Sequence, residues 1–573
     1  MEVNQQYKIR IFDKKYGCYE YINTITNSII SKEEAKLDPA EIKLFSKDTI
    51  IKDSKGQIHI LESPLRNSEY IAGVLIISDG RTYGRTKNKK RLLYKCIPDN
   101  NEYPIFLVPY EIKHGFTKSI QNKYVLFKYC DWEINSKHPH GTLTEVLGDV
   151  GSLERYYYYR LYCKDLFKPI REFTHEVSVR ISEQIDYDSI RSKYNVYIDS
   201  SDYVFTIDPE NTVDFDDALS VLKIDENCIR ISVHISNVTL LLENFGLWNY
   251  VSDRISTIYL PDQSIHMLPT NLSKKLCSLI EGEKRLVFTM ELYFNINEDR
   301  LYDIKFKNSI ITIDCNYVYE DENLLSNEYY NILYKITNKL DSKVNNSHEL
   351  VSFWMMRMNL VCGVQLSKYK VGIYKTLKVE NDKKIPNDFS KECSRTITNW
   401  NNVSSNYECF NNDLNHELLG VNNYCQITSP IRRIVDLVNQ TIFMNYIGLT
   451  EMGLVYSLSD NAYNFCEKWK YKISHINEKM KNVRKIQIDC KILDRIEKEP
   501  YILNYIYKGV VFDKKHKYED MYSHMVFIED LKILLQFNST KVLENYKIYD
   551  FQLFVFECED NIKRKIRLQI VNI

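Results

Sequence analysis

Residues 229–236 alternate without exception. Ile229, Ile231, Val233 and Ile235 fall on one side, and Arg230, Ser232, His234 and Ser236 on the other. A period of two is the signature of a β-strand, with one face expected in a core and the other in water. Asp225-Glu226-Asn227 ahead of it reads as a turn, so residues 218–224 are expected to lie antiparallel beside it as a hairpin. Immediately upstream, residues 205–220 read FTIDPENTVDFDDALS. Asp208, Asp214, Asp216 and Asp217 thus crowd into one short stretch between strand-like apolar segments.

In an extended segment Asp214 and Asp216 point to the same side, while Pro209 and the polar residues after it supply a turn that returns Asp208 towards them. Carboxylates gathered this way repel one another unless cations neutralise them. Hard oxygen donors without His or Cys suit Mg²⁺, or Mn²⁺ in its place. The Gly and the twelfth-position Glu of an EF-hand loop are missing. A solvated acidic face or a turn with N-capping aspartates is the plainer alternative, and the apolar frame argues for the metal.

A second constellation lies at residues 424–437, YCQITSPIRRIVDL. Ser429 reads as an N-cap and Pro430 as the first helical residue, with Ile431, Ile434, Val435, Val438 and Ile442 as one apolar stripe and Gly448 near the stop. Arg432 and Arg433 in a first turn would oppose the helix dipole. They make sense there if an anion is bound. The alternative is that both pair with acids elsewhere.

The rest of the chain sets the frame. Its 573 residues exceed one domain, and a net charge of -1 gives no global field for nucleic acid, so a binding surface has to be local. The 14 cysteines form no CxxC pair, which argues against a zinc site or a disulfide framework. No run approaches the roughly 18 apolar residues of a membrane span, and the first residues lack the apolar centre of a signal peptide. A soluble intracellular protein, in cytoplasm or nucleus and not secreted, is expected. Residues 1–68 show no clear period. Residues 69–175 hold short apolar runs between turn signals, expected as a small β-barrel, with Gly141, Gly148 and Gly151 punctuating two further strands. The tyrosine run 156–159 reads as a two-faced strand, in preference to a base-stacking platform. Helices are expected over 347–369, 430–447 and about 459–495, closed by Pro500. Residues 501–573 return to alternation, suggesting a second barrel.

The acidic segment resembles the T-I-D-P-x-x-x-x-D-x-D-D-A-x-S signature of the ribonuclease II/R family, usually called RNB. TSPIRR resembles that family's T-S-P-I-R-R element, VHISNV its V-H-I-A-D-V, and STIYLPDQSIHMLPTNLSKKLCSL its Y-L-P…M-L-P…L-S…C-S-L stretch. KYVLFKYCDW and KHPHGTLTEVLGDVG look most like the eukaryotic, exosome-associated branch. The resemblance implies an α+β multidomain chain in which an RNB catalytic domain (176–500) is flanked by small OB-fold-like β-barrels (69–175 and 501–573). It implies a monomeric, Mg²⁺-dependent enzyme that hydrolyses single-stranded RNA from 3′ to 5′ and releases nucleoside 5′-monophosphates. No exosome-like partner is legible. By residue, Asp208, Asp214, Asp216 and Asp217 match the catalytic, metal-holding acids. Arg432 matches the arginine at the scissile phosphate, with Thr428 and Ser429 beside the RNA. Tyr259 matches the tyrosine that stacks on the terminal base. The chain departs from the pattern at Asn237, Gln426 and Ile434, and at Ser352 and Phe353, where acids are usual and where Glu349 lies a turn earlier. A non-catalytic RNA-binding member of the family is the alternative, although all four acids are present.

Overall fold

The computed structural model describes residues 5–30, 37–53, 57–112, 120–181, 185–199, 202–377, 385–386, 388–403, 406–411, 414–417, 419–451, 457–518, 520–558 and 563–572. Strands β1 (Gln5–Ile11), β2 (Tyr19–Asn23), β3 (Ile29–Ile30), β4 (Thr49–Lys52) and β5 (Ile58–Glu62) form a sheet in the order β3-β2-β1-β4-β5. The segment without a legible period is therefore a small β unit, with Ile9, Ile11, Tyr21 and Ile50 at its centre.

The next five strands, β6 (Ile71–Leu75), β7 (Leu92–Pro98), β8 (Phe106–Tyr110), β9 (Lys123–Asp131) and β10 (His140–Asp149), close into a barrel. Residues 140–149 make one strand, not two, because Gly148 at φ 143° sits within β10 at a register shift. The tyrosine run is helical, contrary to the strand expected. Helix α1 (Leu153–Cys163) starts where the Ser152 hydroxyl accepts from the N–H of Arg155 at 3.3 Å. Leu153, Tyr157 and Leu161, four apart, are all buried. Tyr159 stacks on Tyr124 of the barrel with ring centres 4.4 Å apart, and the Tyr157 hydroxyl donates to the Cys490 carbonyl. Tyr156, Tyr157 and Tyr159 are all buried, and this packing selects a helix although tyrosine by itself leans towards a strand.

Beyond helices α2 (Arg171–Arg180) and α3 (Tyr187–Tyr194) lies a seven-stranded sheet. Its strands are β11 (Tyr197–Asp199), β12 (Val204–Asp208), β13 (Asp217–Lys223), β14 (Cys228–Ser236), β17 (Lys284–Asn295), β18 (Arg300–Thr312) and β19 (Cys315–Val318), and a short hairpin, β15 (Ile258–Tyr259) and β16 (Ser264–Ile265), stands outside it. The order is β11-β18-β17-β14-β13-β12-β19. The expected hairpin is β13–β14, with Ala218 opposite His234. The polar face of β14 is not in water, however. Ser232, His234 and Ser236 are buried, with His234 bonded to Ser220 and Thr289 and Ser236 donating to the Cys277 carbonyl. Hydrogen bonding within the fold replaces the solvent that alternation alone implied.

Helices α4 (Val238–Asn244), α5 (Glu322–Ser326), α6 (Glu328–Leu340), α7 (Ser347–Lys368), α8 (Lys391–Val403) and α9 (Ile434–Glu451) follow, with the short strands β20 (Ile373–Thr376), β21 (Asn406–Cys409), β22 (Asn415–His416) and β23 (Val421–Asn422) among them. Helix α9 starts at Ile434, so Ser429 is not its N-cap and Pro430, Arg432 and Arg433 lie in the turn before it. From Ile434 to Met444 the helix is buried all round, not along one stripe, and Tyr446 is exposed beyond that. Asn439 bonds both backbone groups of Ile373, and the Gln440 amide donates to the Ser236 carbonyl, so α9 ties β20 to β14. The expected helix over 459–495 is two, α10 (Asp460–Tyr471) and α11 (Ile473–Lys498), interrupted at Lys472. The last five strands are β24 (Ile506–Tyr518), β25 (Met521–Ile528), β26 (Ile533–Ser539), β27 (Ile548–Cys558) and β28 (Lys563–Asn572). They form an antiparallel sheet, β26-β25-β24-β27-β28, in which no ladder pairs the two edge strands. No described helix is long and apolar enough to cross a membrane.

Candidate active site

A cavity of about 720 Å³ opens where β12, the loop before β13, helix α7 and the 424–433 segment meet. All four aspartates line it. Asp208 ends β12 and Asp217 begins β13, so sheet pairing alone brings the ends of the acidic segment together. The loop between them is pinned by Ser278, which accepts from the N–H of Phe215 and donates to the Val213 carbonyl, both at 3.0 Å. Ser236 N–H holds the Asp216 carbonyl at 2.9 Å. Asp214 and Asp216, expected on one side of an extended segment, sit in this non-strand loop and take different partners. The hydroxyl of Tyr259 donates to Asp214 Oδ2 at 2.8 Å. Asp216 accepts from the backbone N–H of Ile431 at 2.9 Å and from Arg432 Nε at 2.8 Å.

The turn before α9, not a helix N-terminus, therefore brings Arg432 to the acids. Ser429 supports it there, its Oγ accepting from Arg432 Nη2 at 3.0 Å. Arg433 turns to Asp436 at 2.7 Å. Both arginines thus pair with acids, the alternative weighed above, and one of those acids belongs to the cluster. Thr428 lines the cavity beside Asn359, whose Oδ1 accepts from the N–H of Ile427.

Burial holds the Asp208 carboxyl well above the ordinary carboxylate range, reinforced by the charge of Asp217; burial likewise raises Asp217, against the pull of Arg432. Burial pushes Asp216 up to about 7, opposed chiefly by Arg432. Asp208 Oδ2 is buried without a hydrogen-bond partner. Crowded, desolvated oxygen acids with an orphaned oxygen are the chemistry a hard cation satisfies. Among the described residues, though, no three His, Cys, Asp or Glu side chains stand close enough to form a ready metal shell. The donors fit a divalent ion in kind, while their present spacing serves Arg432 and Tyr259.

Several lining residues had no local signal in the sequence. Tyr319 follows β19, which runs parallel to β12, and its N–H reaches the Asp208 carbonyl at 3.2 Å. Lys375, His416 and Tyr424 come from separate short strands and loops. Of the departures from the family pattern, Ser352 lines the cavity, whereas Glu349 accepts from the N–H of Asn345 at the start of α7 and does not line it. Asn237 caps α4 and Gln426 accepts from the Tyr407 hydroxyl.

Residues 198–335 match the RNB domain, and residues 94–156 match the Dis3-like cold-shock domain 2 (CSD2). The chain carries an RNB domain. It is 33% identical over 204 residues to the DIS3-like exonuclease 2 of Caenorhabditis elegans, across 34% of this chain and 24% of that protein. The chain thus spans about a quarter of that curated relative's length. The fold is that of RNase R from Mycoplasma genitalium, solved in complex with ribose methylated single-stranded RNA, with a TM-score of 0.64 at 14% identity over 98% of this chain and 100% of that one. Yeast Ssd1, a pseudonuclease, matches with a TM-score of 0.58 at 13% identity over 96% of this chain and 80% of that one. The matched RNB residues contain all four aspartates, Tyr259 and Tyr319, while Lys375 and Arg432 lie beyond them.

Proposed function

We propose that the protein is a 3′-to-5′ exoribonuclease that hydrolyses single-stranded RNA to nucleoside 5′-monophosphates. The observation that carries this reading is the convergence of Asp208, Asp214, Asp216 and Asp217 with Arg432 on one cavity. Asp208, Asp214, Asp216 and Asp217 would hold Mg²⁺, or Mn²⁺. When bound, such an ion makes a water more acidic and stabilises charge on phosphate oxygens. Arg432 neutralises the charge that grows on the scissile phosphate, and its planar fork suits that task. Thr428 and Ser429 border the phosphate, and Ser429 keeps the guanidinium aimed. Tyr259 offers its ring, 38% exposed, to the terminal base. The domain division into 69–175, 176–500 and 501–573 belongs to the same proposal, as do a monomeric state and an intracellular setting.

The test is digestion of 5′-labelled single-stranded RNA with and without Mg²⁺. Progressive shortening from the 3′ end with release of 5′-monophosphates is expected. RNA that is bound but never shortened, under any divalent ion, would favour the binding-only reading that the resemblance to the pseudonuclease fold keeps open.

A further inference from the structure

A second cavity, of about 620 Å³, lies where α1, α11 and the open edge of the C-terminal sheet meet. Its floor is apolar, with Leu493, Leu535 and Leu568 all buried. Its walls are cationic. Arg160 and Lys164 come from α1 and its end, Lys485 from α11, and Arg564, Lys565 and Arg567 from β28. Among the described residues Asp489 is the one carboxylate that lines it. Burial holds that carboxyl above the ordinary range, against the pull of Lys485, Arg160 and Lys164. Asp99 stands 3.7 Å from Arg160, whose side chain is 11% exposed. Lys485, Lys565 and Arg567 form no ion pair among the described residues, so positive charge is in surplus even with both acids ionised.

The frame keeps these cations from moving apart. The Tyr156 hydroxyl donates to the Arg564 carbonyl at 3.0 Å, and Arg564 Nη2 donates to the Gly151 carbonyl at 3.3 Å. With Tyr157 bonded to Cys490, α1 is tied to both β28 and α11. Like charges fixed in this way repel, and an anion among them relieves the repulsion through charge-assisted hydrogen bonds. Strands β26 and β28 both line the cavity with no ladder between them, so their edges add backbone N–H donors. The lining also says which anion fits. Sites for single-stranded nucleic acid combine cations with exposed aromatic faces on which bases stack. Here the aromatic lining residues, Tyr156 and Phe537, are 3% and 8% exposed, so phosphate is served and a base is not. Cations on three separate elements around a cavity of this size exceed the reach of one phosphate group. We propose that this cavity binds a compact polyphosphate, either an inorganic chain or the phosphate tail of a nucleotide, and that the anion clamps the C-terminal sheet to α1 and α11. The site is independent of the exoribonuclease reading.

The test is calorimetric titration of the full chain, in EDTA and at matched ionic strength, with tripolyphosphate, orthophosphate and ATP. It is repeated on the double variant Lys485→Glu/Lys565→Glu, whose two positions lie outside the active-site cavity and reach solvent. Tripolyphosphate should bind wild type about tenfold more tightly than orthophosphate, and the double variant should bind it about tenfold more weakly. It should also raise the melting temperature of wild type more than that of the variant. Tighter binding of ATP than of tripolyphosphate identifies a nucleotide as the source, and the reverse identifies an inorganic chain; both support the site. Equal binding of tripolyphosphate and orthophosphate to wild type overturns the proposal, whether or not the variant folds. Tripolyphosphate binding that the folded double variant leaves unchanged lies elsewhere and overturns it too. If tripolyphosphate does not bind, yet single-stranded RNA loses affinity in the double variant, the cavity holds an RNA backbone and the proposal falls.

Discussion

Arg432 Nε donates to Oδ2 of Asp216 at 2.8 Å, while the N–H of Ile431, one residue earlier, donates to Oδ1 of the same carboxylate at 2.9 Å. The loop before β13 and the turn before α9, more than two hundred residues apart, are thereby locked through one buried acid. Asp216 is 2% exposed, so both donors are needed to hold its charge.

Asp216→Asn removes that charge but keeps the side chain's shape. Turnover on single-stranded RNA should fall by about a hundredfold or more, the scale of losing a charged group at the reacting phosphate. Equilibrium binding of the same RNA should persist or tighten, because an anion near phosphate is gone. Wild-type turnover in this variant would remove Asp216 from the chemistry.

Arg432→Lys keeps a positive charge and loses the fork that spans Asp216 and Ser429. A drop in kcat of about tenfold or more, with a smaller change in KM, is expected from steady-state kinetics. An unchanged kcat would mean that only net charge matters at this position.

Stability should depend on pH through the acids. Burial raises Asp208, Asp216 and Asp217 above their unfolded values, Asp216 to about 7. Between about pH 4, where such acids titrate when unfolded, and that raised range, the folded state binds more protons. The metal-free protein should therefore melt at lower temperature as pH rises through this window. Ions that bind the folded carboxylates offset the loss, so Mg²⁺ should raise the melting temperature more at pH 8 than at pH 5.5. A Mg²⁺ effect independent of pH would contradict this assignment of the acids.

Tyr259 has two separable parts, a hydroxyl on Asp214 and a half-exposed ring. Tyr259→Phe should retain short RNAs nearly as well as wild type, whereas Tyr259→Ala should lose about 1–3 kcal/mol of affinity and change the length of the final product. Equal behaviour of the two variants would assign the role to the hydroxyl.

Gly363 in α7 lies against the backbone of Asn423 and Cys425, the segment that leads into the active-site cavity. A Cβ there would lie 1.9 Å from the Asn423 carbonyl oxygen. Gly363→Ala should destabilise the fold by about 1–3 kcal/mol in urea melts, since backbone has to move to admit a methyl group.

The β13–β14 hairpin, the crowding of the four acids and helix α7 were legible because each rests on neighbours in sequence: strict alternation, close spacing, a sustained apolar run. What the sequence left open had no such local code. A run of tyrosines fits a helix or a strand, and only packing of Tyr159 on Tyr124 and Tyr157 on α11 decided for the helix. The polar face of β14 alternates as a solvent face would, and only tertiary contacts to Ser220, Thr289 and Cys277 made it an interior one. Ser429 has every local mark of an N-cap, yet its N–H goes to Asp436 and its hydroxyl to Arg432, and the helix waits until Ile434. The presence of Lys375 in the active-site cavity was decided by topology: α9 holds β20 through Asn439, and those bonds bring Lys375 into the same cavity as acids that lie far away in the chain. Local patterns report what each segment can become, while burial, which depends on segments far away, selects what it is.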